Sequence, residues 1–184
     1  MIFLLRHAES EWNRLFSAFR VDPGLPDPPL TAEGRAQAAT LAGRLAATPP
    51  ERVLVSPYRR SIETGRALAS ALGAELVVEP LLRERCAFSC DIGTPASRLR
   101  EEWPDLAFDG LPEVWWGGLI ESDASLERRC REFLRALRRH GPRRTVALVS
   151  HWGFIRALTG RRLQNAEILR TDWQGLEHGE WWDA

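Results

Sequence analysis

Short apolar runs recur between stretches of helical character, and this alternation constrains the fold of the chain more than any other feature. "MIFLL" at the start, "RVLVS" (52–56), "AELVVEP" (74–80) and "TVALVSH" (145–151) each read as strands, apolar enough to be covered on both faces. Helical segments lie between them. The polar stretch from Glu9 to about Phe19 is one, and an Ala-rich stretch capped by Thr31 and running to about Ala47 is another. Pro57 opens a third helix that continues to Leu72, where Gly73 ends it. Later helices are expected from about Ala124 to His140 and from Gly153 to Thr159, with "AEILRTDW" and "GEWW" as short closing strands. Such a rhythm predicts an α/β fold, a three-layer αβα sandwich around a mostly parallel central sheet. It breaks from Cys86 to about Asp123 into Gly, Pro and Trp, including "GLPEVWWGG". A chain of 184 residues suits a single domain, 1–184, with residues 86–123 as a small cap insertion.

Composition narrows the chemistry. The 25 basic residues balance 25 acidic ones, which argues against wholesale attraction to nucleic acid or an anionic membrane, so any anion site must be local. Every basic residue is arginine. Without lysine there is no Schiff base and no P-loop lysine, whereas arginine suits bidentate binding of oxyanions. Three cysteines, Cys86, Cys90 and Cys130, are too few for a disulfide framework and point to a reducing cytoplasm. Cys86 and Cys90 lack metal-ligand spacing and a nearby histidine, so no metal is expected. "MIFLL" is too short for a signal sequence or a membrane span.

Parallel sheets bind ligands at the carboxyl ends of their strands. Arg6 and His7 follow the first strand, Ser56 and Arg60 the second, Glu84 the third, and His151 follows "TVALVS". Singly, each has an ordinary explanation: a hydrogen-bonded histidine, one exposed member of the pair Arg59 and Arg60, or a glutamate paired with Arg83 or Arg85. Together they would require separate accidents at one sheet edge. Three of these positions also precede or open helices, whose N-terminal N–H groups favour an anion. Ser10 and Asn13, one turn after His7, add further donors.

These segments resemble the signatures of the histidine phosphatase superfamily, which includes the cofactor-dependent phosphoglycerate mutases. "LLRHAESEWN" is similar to its L-x-R-H-G-[ET]-[ST]-x-x-N, "PLTAEGRAQA" to its P-L-T-x-x-G-x-x-Q-A, and "SPYRRSIET" to its S-P-x-x-R-x-x-x-T. "LLRER" and "SHWGFIRAL" match its acid-bearing and second-histidine segments, in order from Phe3 to about Gly160. Two positions depart: Ala8 and Trp152 stand where glycine is usual. Ala8 restricts the backbone, and Trp152 either narrows the pocket or packs behind it.

The resemblance implies that His7 attacks phosphorus and forms a phosphohistidine, and that Arg6, Arg60 and His151 bind the phosphoryl oxygens. Ser10, Asn13 and the Gly153 N–H are weaker candidates for the same oxygens, and Glu84 is the general acid and base. No cofactor is implied. The partner is a small phosphorylated substrate, and homodimerisation stays open. The family's mutases carry more chain between the acid and the second histidine than Arg85 to Ser150, which favours a hydrolase over a mutase. A non-catalytic phosphate-binding module is the third alternative. Trp115 and Trp116 offer either an apolar wall for the leaving group or, more readily, packing within cap and core. Trp181 and Trp182 are expected to close the core or a subunit contact.

Overall fold

The computed structural model describes residues 1–140, 144–180 and 182–183. Strands β1 (Ile2–Arg6), β2 (Arg52–Val55), β3 (Glu75–Val78), β4 (Val146–Ser150), β5 (Ile168–Thr171) and β6 (Trp182–Asp183) form one six-stranded sheet in the order β3-β2-β4-β1-β5-β6. The first four are parallel, and β5 and β6 run antiparallel at one edge. The α-helices are α1 (Glu11–Phe19), α2 (Ala32–Leu45), α3 (Arg59–Leu72), α4 (Ala96–Glu102), α5 (Asp123–Leu137), α6 (Trp152–Thr159) and α7 (Trp173–His178), and single 3-10 turns lie at Pro80–Leu82, Ser89–Asp91 and Arg138–His140.

The apolar strands are covered on both faces because their alternate side chains feed two cores. Phe3, Leu5, Val53, Val55, Ala147 and Val149 pack beneath residues from α2 and α3. Ile2, Leu4, Leu54, Val146 and Leu148 pack on the other face against α5, α6 and α7 through Phe133, Phe154 and Leu176. Burying side chains of this size contributes roughly 1.5–3 kcal/mol each. The αβα sandwich is therefore the expected one.

Several boundaries have local causes. Thr31 caps α2 by accepting from the Gly34 N–H at 2.9 Å. Gly73 ends α3 with φ 66°, a conformation that suits a residue without Cβ. Tyr58, not Pro57, is the N-cap of α3, because its backbone stays extended at φ −70°, ψ 139° while its ring is buried. Two helices were not expected. Helix α7 begins after Asp172, whose side chain accepts from the Gly175 N–H at 2.7 Å, so "AEILRTDW" ends as a strand at Thr171. Helix α4 lies within the stretch 86–123, and its Ala96 and Leu99 join Phe108, Leu111 and Trp115 in the same core as α2 and α3. Trp181 lies outside the described residues, as does the side chain of Trp182.

No helix among the described residues is long and apolar enough to cross a membrane.

Candidate active site

Strand register brings the distant motifs together. Arg6 lies beside Ser150, and Val55 beside Val149, so the residues that follow β1, β2 and β4 emerge side by side. The His7 N–H donates to the Ser150 carbonyl at 3.0 Å, and the His7 and His151 rings lie 5.0 Å apart between centroids. Arg6, His7, Ser10, Asn13, Arg60, Glu84 and Gly153 all line one cleft of about 530 Å³. His151 is fully buried beside His7.

The chain around His7 is held from three sides. Thr64 accepts the Ala8 N–H at 3.1 Å and donates to the Arg60 carbonyl, Asn165 donates to the His7 carbonyl at 3.0 Å, and Gln37 accepts the Glu9 N–H at 3.0 Å. Thr31 donates to the Glu9 carboxylate at 2.8 Å. Gly34 permits this approach, since a Cβ there would overlap the Glu9 carbonyl oxygen. The segment "PLTAEGRAQA" thus works as a clamp on the loop after β1. Ala8 takes no positive φ and its N–H is already used by Thr64, so replacing glycine there introduces no backbone strain.

His7 Nδ1 lies 2.7 Å from the Ala8 carbonyl. A carbonyl only accepts, so Nδ1 carries the proton and the lone pair resides on Nε2. Burial, followed by the charges of Arg60 and Arg6, holds the imidazolium pKa well below its ordinary 6.5. A neutral, oriented imidazole results. His151 bonds Ser56 Oγ through Nε2 at 2.6 Å, and burial and the nearby arginines lower its pKa as well. Among the described residues no group pairs with His151 Nδ1 or with Arg6 Nε, although both atoms are buried. Arg6 Nη1 is anchored on the Leu163 carbonyl at 3.0 Å.

Arg60 points inward and is only 2% exposed, whereas Arg59 turns out to pair with Glu102. Its guanidinium is braced by the Cys90 carbonyl at 2.9 Å, by Asp91 at 3.5 Å and Asp27 at 3.9 Å, and by the face of Tyr58 at 4.3 Å. Both aspartates escaped the sequence reading, because only the fold brings them to Arg60. Cys86 and Cys90 are free thiols whose sulfurs lie against Asp91.

Glu84 pairs with neither Arg83 nor Arg85. Its carboxylate accepts from the backbone of Arg85 at 2.7 Å and from Gly153 and Phe154 at 3.0 Å each, which places it over the first turn of α6. The Gly153 N–H, expected to face phosphate, is therefore occupied by Glu84. Its lack of a side chain has a purpose, since a Cβ would stand 2.6 Å from Glu84 Oε1. Burial and then Asp91 raise the Glu84 pKa above its ordinary 4.5, against the lowering effect of these N–H donors and Arg60. Arg129 secures this turn from α5, donating to the carbonyls of Leu81, Arg83 and Glu84 while forming a buried pair with Glu121.

Ser10 and Asn13 close a capping box on α1, in which Ser10 Oγ accepts the Asn13 N–H. Trp152 lines the cleft rather than packing behind it. Trp115 and Trp116 do not; Trp115 packs edge-on against Tyr58 and donates to the Thr94 carbonyl at 2.8 Å.

The family profile described as histidine phosphatase superfamily (branch 1) matches residues 2–180. The chain belongs to that superfamily. A protein of Photorhabdus laumondii described as "Probable phosphoglycerate mutase GpmB" is 30% identical over 98% of this chain and 86% of its own length. "Phosphoserine phosphatase 1" of Hydrogenobacter thermophilus is 31% identical over 85% of this chain and 73% of its own. In fold, a mycobacterial glucosyl-3-phosphoglycerate phosphatase superposes with a TM-score of 0.66 at 23% identity, covering 99% of this chain and 95% of that one. Membership supports phosphoryl transfer of the phosphatase or mutase kind.

Proposed function

We propose that the protein hydrolyses phosphomonoesters through a phosphohistidine on His7. The observation that carries this reading is the His7 imidazole, fixed by the Ala8 carbonyl so that an unprotonated Nε2 is available beside Arg6 and Arg60. Nε2 attacks phosphorus as the bond to the ester oxygen breaks. Glu84 gives its proton to that oxygen, and its raised pKa favours the protonated form needed for the task. Water then attacks the phosphohistidine, returns a proton to Glu84 and releases inorganic phosphate and free His7. Arg6, Arg60 and His151 Nδ1 stabilise the phosphoryl oxygens, with Ser10 and Asn13 at the border of the same space. For His151 Nδ1 to donate, its Nε2 must accept, so Ser56 donates the hydroxyl proton across their 2.6 Å contact.

Hydrolysis is favoured over transfer because the cleft mouth is open: Phe88 is 45% and Trp152 38% exposed, leaving water a route to the phosphoenzyme. The deciding experiment is hydrolysis of p-nitrophenyl phosphate in the presence of a chelator by wild type and His7→Ala. Turnover confined to the wild type, with a phosphoenzyme trapped on His7, supports the proposal. Equal activity in both proteins would end it, and interconversion of phosphoglycerate isomers faster than phosphate release would move the assignment to a mutase.

A further inference from the structure

We infer that the outer part of the cleft receives an apolar group of aromatic size on the substrate's alcohol, so that the preferred esters are monophosphates of bulky apolar or aromatic alcohols. The phosphoryl end of this inference rests on the proposed phosphatase reading; the outer end rests on a separate set of residues. Trp12 and Phe16 stack with centroids 4.4 Å apart, and Phe88 closes on them at 5.2 and 5.6 Å. All three line the same cleft as His7. Trp12 donates its indole N–H to Asp22 at 2.9 Å, so its polar edge is satisfied and its largely buried ring backs Phe16 and Phe88 as the floor of this apolar wall. Asp22 also accepts from the Ser89 backbone at 2.8 Å and from the Ser89 hydroxyl, which ties the segment bearing Phe88 to the end of α1. Trp152 adds a further ring, supported by the Arg156 guanidinium at 5.2 Å. The exposure of Phe88 and Trp152 within a concave site is therefore apolar surface that a ligand can cover.

The cleft's cations argue against a compact carboxylated substrate. Arg85 is committed to Asp123 at 2.9 Å and to the Glu121 carbonyl at 3.1 Å. Arg6 and Arg60 stand at the phosphoryl end. Arg20 also lines the cleft, but it follows the last turn of α1, about 14 Å of helix beyond Ser10. A carboxylate beside the ester carbon, as on phosphoserine, would therefore have to compete with Asp123 and the Glu121 carbonyl for Arg85 or reach along α1 to Arg20.

The test uses esters matched in leaving-group chemistry: 2-phenylethyl phosphate, ethyl phosphate and phosphoserine. Wild-type kcat/KM should favour the phenylethyl ester over both others by at least about ten-fold, a difference that an apolar contact of this size supplies. Phe88→Ala and, separately, Trp152→Leu should reduce that preference toward unity. Binding of 2-phenylethylphosphonate and ethylphosphonate, measured by calorimetry, gives the same comparison without turnover. Phosphonate preference without hydrolysis would remove the phosphatase reading and keep the aromatic site. Hydrolysis with equal kcat/KM for both alkyl esters, preference for phosphoserine, or a phenylethyl preference untouched by both variants would overturn the aromatic site and leave the phosphatase reading standing.

Discussion

The two ends of the cleft are built by opposite means. At the inner end, Arg60 and the chain around His7 are fixed by several buried bonds: Arg60 by a carbonyl, two carboxylates and a ring, His7 by its own neighbour and by Thr64, Asn165 and Ser150 around it. At the outer end, Phe88 and Trp152 are partly open to solvent, and the aromatic cluster is held largely through one acid, Asp22. Rigid placement suits a phosphoryl group, whose shape is common to every phosphomonoester, while a lightly held wall can vary with the alcohol. On the proposed reading, then, reaction and selectivity are carried by separable parts of the cleft.

The most severe way to break the inner end is His7→Ala, which should lower turnover by at least about 10⁴-fold and abolish phosphoenzyme labelling, as removal of a covalent nucleophile does. Glu84→Gln should lower hydrolysis of alkyl esters by about 10²–10⁴-fold while leaving His7 open to labelling by an activated ester whose alcohol needs no proton. The pH profile sharpens this. In wild type, kcat/KM should rise as His7 loses its proton, well below pH 6.5, and fall as Glu84 loses its own, above pH 4.5. The alkaline fall should be absent in Glu84→Gln. Arg60→Lys should cost about 10²-fold, because an ammonium keeps the charge but loses the fork held by Cys90, Asp91 and Asp27.

Stability should follow pH for a related reason. The His7 and His151 pKa values are depressed in the folded protein, so the unfolded chain binds more protons below pH 6.5. Their contribution is therefore present above that value and lost as pH falls, which a series of thermal melts from pH 7.5 to 5 would display. The mildest expected effect is at the outer end. Asp22 is held at about 2, where hydrogen bonds from Ser89, Trp12 and Gly24 outweigh the opposing effect of burial. Asp22→Ala should raise KM for a bulky ester by about five-fold with little change in kcat, since the wall loses its tie and the nucleophile keeps its own. An equal fall in kcat would show that the two ends are mechanically coupled.

Legibility in the sequence divides along the same line. The gathering of Arg6, His7, Arg60, Glu84 and His151 at one edge was legible because each lies at or beyond the carboxyl end of a parallel strand, while the roles proposed for them rest on the family resemblance. The sheet itself was readable from its apolar runs. Asp27, Asp91, Thr64 and Asn165 were not, since each serves the site through a contact between segments far apart in sequence and has no periodic or positional mark. For tryptophan the favoured reading, packing within cap and core, holds for the doublet, while the ring that lines the cleft lay elsewhere. In the doublet, Trp115 packs against Tyr58 and Trp116 against Trp115, while Trp12, hidden in the first motif, lines the cleft. The short helices α4 and α7 were missed because a helix of one or two turns gives too little periodicity to separate it from loop. The Asp172 cap was the available signal for α7.

The carboxylate that caps α6 carries a consequence for that helix. On the proposed cycle Glu84 is uncharged before the ester bond breaks and charged after it, so the start of α6 faces an anion only while the phosphoenzyme exists. On that cycle the helix that begins beside His151 and carries Trp152 gains and loses the charge of its Glu84 partner once per turnover.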